Sequence, residues 1–157
     1  MESTYRIVVG VDGSEGGRRA LQWAVREATS RGGTMQAVIA WRWDGIDGRP
    51  IGTTSPMQER ERAEGILDRE VEAIPVAQRS GVSIAMETVE GRPGDVLTAM
   101  ARDADVLVLG SHGHSRVWHT VLGSVSEECV RKAACPVVVV PVPHEAPHPV
   151  AEPALPT

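Results

Sequence analysis

Short apolar runs alternate along this chain with longer stretches whose apolar residues recur every three or four positions. The first run, residues 5–11 (Tyr-Arg-Ile-Val-Val-Gly-Val), predicts a buried strand. It leads into Asp12-Gly13-Ser14, where Ser14 suits a helix N-cap. Over residues 15–31, Ala20, Leu21, Ala24, Val25 and Ala28 share one helical face, and Gly32-Gly33 supplies the stop. Residues 34–41, with Ala37, Val38, Ile39 and Ala40, predict a second buried strand. Residues 43–55 hold several glycines and a proline without periodicity, as a long surface loop would. A second helix is predicted over residues 57–79 from Ala63, Ile66, Leu67, Val71 and Ile74, with Pro75 kinking or ending it.

Val82, Ile84, Met86 and Thr88 then alternate with their neighbours, which predicts a strand with one less buried face. Val96, Leu97, Met100 and Ala101 make the stripe of a short third helix, ending near Asp103. The run 106–109, closed by Gly110, is a fourth strand. Val125, Cys129 and Ala133 define a fourth helix over residues 124–134, and the run Val137–Val140 is a fifth strand.

Five strands alternating with four helices predict an α/β fold, an open, doubly wound parallel sheet with helices on both faces. In the order 3-2-1-4-5, strands one and four are neighbours and the winding reverses between them. Ligands of such sheets sit beyond the carboxyl ends of the strands at that reversal. The loops after strands one and four both arrive there. Pro136 and Pro141 bracket the last strand and place it at a sheet edge, where pairing with a second copy predicts a homodimer through Val137–Val140.

A length of 157 residues predicts one domain, residues 1–142, and the Pro-rich segment 143–157 is expected to be a disordered tail. The net charge of −5 argues against a nucleic-acid partner and against an acidic membrane surface. No leader-like segment precedes the first strand and no apolar stretch reaches spanning length, so the expected location is cytoplasmic. Cys129 and Cys135 do not form a CxxC pair and are expected as reduced, packed thiols.

The candidate chemistry lies in residues 106–140. Gly110 and Gly113 can adopt positive φ and let a ligand approach the backbone, and Gly123-Ser124 stands where the last helix begins. Loop and helix N–H groups, the helix dipole and the Ser124 and Ser126 hydroxyls would together seat a phosphate. The chain has neither a Gly-Lys-Ser/Thr element nor a Gly-x-Gly-x-x-Gly fingerprint, so a nucleotide must be held another way. His112, His114 and His119 share one loop, but no cysteine or carboxylate completes a metal set at ligand spacing.

The spacing Gly110-x2-Gly113-x9-Gly123-Ser124 resembles that of ATP-binding universal stress proteins. So do Val-Gly-Val-Asp-Gly-Ser near the start, Gly-Ser-Val-Ser at the last helix and Cys-Pro-Val-Val-Val-Val at the end. The resemblance covers residues 6–140 and implies a Rossmann-like, adenine nucleotide alpha hydrolase-like fold, a dimer, ATP as ligand, alone or with Mg²⁺ or Mn²⁺, and a role in stress physiology. It places Val11 where some ATP-binding members carry proline and sets Asp12 against the ribose or a metal-bound phosphate. The strand end at Trp41 would meet the adenine edge and Leu109 and Gly110 the ribose. Gly113, Gly123, Ser124, Val125 and Ser126 would surround the phosphates, with Arg116 at the terminal ones.

The function expected is a nucleotide-dependent regulatory module read by a protein partner. A slow ATPase or autokinase, or a cAMP-binding protein, would use the same site. Without a Walker lysine or paired general base, efficient catalysis is disfavoured and no catalytic residue is assigned.

Overall fold

In the computed structural model, residues 3–43, 54–114 and 122–143 are described. The elements run β1 (Arg6–Gly10), α1 (Glu15–Arg31), β2 (Thr34–Trp41), α2 (Pro56–Glu72), α3 (Val76–Arg79), β3 (Ser83–Glu90), α4 (Pro93–Met100), β4 (Val106–Gly110), α5 (Ser124–Lys132) and β5 (Val137–Val140). All strand pairs are parallel, in the order β3-β2-β1-β4-β5. The expected sheet is therefore the observed one, with β5 at one edge and β3 at the other. Residues 144–157 of the expected tail 143–157, most of the loop after Trp43, and Arg116 and His119 lie outside the described residues.

Helix bounds follow local signals where those are strong. Ser14 caps α1 by accepting the Gly17 N–H at 3.1 Å, and Gly32, at φ 61°, ends it while the Gly33 N–H reaches back to the Ala28 carbonyl. The single helix expected over residues 57–79 is instead two. Ser55 and Gln58 form a capping box that starts α2 at Pro56, and the chain leaves the helix before Pro75, whose ring and missing N–H forbid its continuation. The four-residue α3 that follows makes the fifth helix.

Strand alternation sends side chains to two cores. Ile7, Val9, Ala37, Ile39, Val106 and Val108 meet α1 and α2 on one face. Val8, Val38, Leu107 and Leu109 meet α4 and α5 on the other, around Cys129. Both thiols are free, and burial pushes the Cys129 thiol up to about 11, so it is an uncharged filler at neutral pH. Glu70 of α2 is buried at 5% exposure, and its carboxylate accepts from the Arg18 Nε at 3.0 and 3.3 Å. The Arg18 guanidinium also donates to the Gly13 carbonyl at 3.2 Å, which ties α2 to the turn after β1.

Candidate functional site

At the carboxyl ends of β1 and β4, where the winding reverses, lies a cavity of about 500 Å³. Its walls divide by chemistry. Val11, Val38, Ala40, Pro93, Leu97 and Leu109 line it with apolar groups, whereas Asp12, Ser14, His112, His114, Ser124 and Glu127 supply polar ones. Such a division suits a ligand with a flat apolar part and a charged part.

The turn after β1 builds one polar wall. Asp12 Oδ1 accepts both the backbone N–H (2.9 Å) and the hydroxyl of Ser14, an Asx turn that fixes the carboxylate. His114, on the loop after β4, donates from Nε2 to the Asp12 carbonyl at 2.6 Å, so that nitrogen carries the proton. The two loops are thus joined directly across the site.

Glycines allow this approach, but not through the conformation expected of them. Among the described residues positive φ is confined to Gly13, Gly32 and Gly91; Gly110 and Gly113 have none. Their role is closeness. A Cβ on Gly110 would stand 2.6 Å from the Gly16 carbonyl carbon, and one on Gly113 would stand 2.7 Å from Asp12 Oδ2. The first turn of α1 lies backbone to backbone on the end of β4.

The other polar wall is the start of α5. Gly123 occupies its N-cap position with no side-chain cap, which leaves first-turn N–H groups without the usual partner. The Gly123 N–H itself donates to the Ser111 carbonyl at 2.6 Å, pinning the helix start to the loop after β4. An anion here would meet unsatisfied N–H groups and the positive end of the helix dipole.

Of the residues singled out from the sequence, Val11, Asp12, Leu109, Gly110, Gly113, Gly123, Ser124 and Val125 line this one cavity. Ser126 does not; it is buried, and its hydroxyl lies 2.9 Å from the Ser111 carbonyl and 3.0 Å from that of Gly123, serving the loop rather than the cavity. Trp41 lies elsewhere too. Its side chain packs on the α1/α2 face and its carbonyl accepts the Gly91 N–H at 2.8 Å, while Val38 and Ala40, of opposite parity in β2, face the cavity. The sequence places Leu97 in the third helix's stripe and Pro93 in the turn before it; Pro93 instead opens α4, and nothing local marks either as a wall of the cavity. Glu127 carried a weak signal, an acid in the first turn after Gly123-Ser124. No group of three or more metal-ligating side chains is assembled among the described residues, and none of their helices is long and apolar enough to cross a membrane.

Comparison with known proteins gives a consistent match. Residues 4–141 match the model of the "Universal stress protein family". Universal stress protein Rv2624c of Mycobacterium tuberculosis is 32% identical over 134 residues, covering 85% of this chain and 47% of that protein. The chain therefore spans about half the length of the curated relatives it matches. Among solved structures, a universal stress protein in complex with cAMP is similar with a TM-score of 0.64 at 24% identity, covering 88% of this chain and 98% of that one. The universal stress protein from Archaeoglobus fulgidus in complex with dAMP is similar with a TM-score of 0.63 at 24% identity, covering 89% and 99%.

Proposed function

The chain belongs to the universal stress protein family, and from that premise we propose that it is an ATP-binding regulatory module of the stress response. The observation that carries this reading is the uncapped N-terminus of α5, which faces Asp12 across a cavity with an apolar part of its own. In this reading the base lies among Val38, Ala40, Pro93, Leu97 and Leu109, Asp12 meets the ribose hydroxyls, and the phosphates rest on the N–H groups that open α5. Adenine mononucleotides in two similar structures support the choice of base. Arg116 would reach the terminal phosphates, and Mg²⁺ or Mn²⁺ would accompany them, with Asp12 as a suitable oxygen ligand. A protein partner would read the loops in their ligand-bound arrangement.

The second reading is a cAMP-binding protein. It is favoured by one feature, the lack of any lysine or arginine among the described residues lining the cavity, which suits a less charged ligand.

Titration calorimetry with ATP, ADP, AMP and cAMP, on protein stripped of co-purified ligand, tests both. ATP binding tightest supports the first reading and cAMP tightest supports the second. No heat from any of the four removes them together.

The same proposal includes a homodimer through β5. Among the described residues this strand pairs on one side alone, with β4, and its four valines are all half-buried in the single chain. Val138→Glu is expected to shift the mass measured by light scattering towards the monomer while the far-UV spectrum stays native. An unshifted mass with a native spectrum would discard the edge-strand dimer.

A further inference from the structure

We propose that Arg18, braced by the buried Glu70, is a positioning residue of the cavity: it fixes the Gly13–Ser14 peptide so that the Asp12 carboxylate is held in place for the ribose hydroxyls. The inference rests on the nucleotide reading above and deepens it, by making hydroxyl recognition depend on α2.

A carboxylate at position 70 is not explained by stability. The buried residues of α2 are Ala63, Leu67, Glu70 and Val71, so Glu70 occupies a place in an otherwise apolar stripe. Replacing a buried ion pair by apolar groups is often neutral or stabilising, because the charges must leave water to meet. The pair is placed instead to act on the turn after β1. Arg18 Nε donates to both Glu70 oxygens, at 3.0 and 3.3 Å, which leaves a second arm of the guanidinium, Nη2, to donate to the Gly13 carbonyl at 3.2 Å. Ile66 of α2 reaches the same turn, since a Cβ on Gly13 would stand 3.1 Å from its Cγ2.

The Gly13 carbonyl and the Ser14 N–H belong to one planar peptide group and point in opposite directions. Arg18 holds its oxygen end, and its N–H end donates to Asp12 Oδ1 at 2.9 Å. Gly13, at φ 79°, has no side chain to resist rotation of that peptide, so the hydrogen bonds at its two ends set its orientation. Without the bond from Arg18, the peptide N–H no longer has a fixed direction, and the Asp12 carboxylate loses a donor that aligns it. The Ser14 hydroxyl also donates to Asp12, but it must cap α1 as well by accepting the Gly17 N–H.

Calorimetry of the full chain with AMP and with 2′,3′-dideoxy-AMP reads hydroxyl recognition as an affinity ratio. The wild type is expected to bind AMP about tenfold more tightly than the dideoxy compound. Arg18→Met combined with Glu70→Leu removes both charges and strands neither. In this variant the ratio is expected to fall to about two, with the affinity for dideoxy-AMP unchanged. Arg18→Lys keeps a cation for Glu70 but replaces the two arms by one ammonium, and it is expected to lower the ratio with a native thermal melt, which decides the question should the double variant not fold. A wild-type ratio in a folded variant of either kind means that the pair only joins two helices, and overturns the proposal. Equal binding of both compounds by the wild type also overturns it while the nucleotide reading stands. If the wild type binds neither, the nucleotide reading itself falls and this inference with it.

Discussion

Gly123→Leu is expected to weaken adenine-nucleotide binding by about a hundredfold or more, equivalent to about 2.7 kcal/mol, in a domain that still folds. Gly123 has φ −71° and ψ 168°, an extended conformation open to any residue, so the substitution brings no backbone strain. A Cβ there would lie 3.2 Å from the Ser111 carbonyl and 3.4 Å from the His112 Cα. With those sides closed, the rest of a leucine has the cavity as its space and covers the N–H groups where a phosphate would rest. Calorimetry with ATP measures the loss, and a thermal melt confirms the fold, with a shift of a few degrees at most for about 1 kcal/mol. Wild-type affinity in the variant would mean that the phosphate seat lies elsewhere.

Gly110→Val is expected to damage fold and site together. Its Cβ would come within 2.6 to 2.8 Å of three backbone atoms of Gly16, and a Cβ on Gly16 would in turn collide with the His112 carbonyl of the loop that follows β4. Backbone cannot turn aside as a side-chain tip can. The first turn of α1 must move away from β4, at a cost of about 3 kcal/mol, which lowers the melting temperature by roughly 6–12 °C. Since that turn follows Asp12 and Ser14, nucleotide affinity should fall with it. A calorimetric melt indistinguishable from wild type would show that α1 and β4 do not meet in this way.

Gly110 and Gly113 also show how far the sequence could be read. Both stood out as site residues by their spacing, yet the reason differs from the one their local context suggests. Gly110 is small because Gly16, across the sheet face, needs its room, and Gly113 because Asp12 does. Gly32 is the contrasting case. Its positive φ closes α1 with its own N–H directed at carbonyls three and four positions earlier, and it is legible because cause and effect lie within one turn.

The sequence by itself determined the strand and helix order, the sheet class and the caps at Ser14 and Gly32, because periodicity and capping act over a few residues. It also singled out Asp12, Gly113, Gly123 and Ser124, which line one cavity in the structure. Tertiary structure alone decided that Val38 and Ala40 rather than Trp41 face the cavity, since strand parity becomes a wall only after α4 docks. It decided as well that Pro93 and Leu97 close the apolar side and that buried Glu70 finds Arg18 fifty-two positions away. Such pairings connect residues whose separation along the chain leaves no local trace, and they exist only when the parallel crossovers bring both partners to the same end of the sheet.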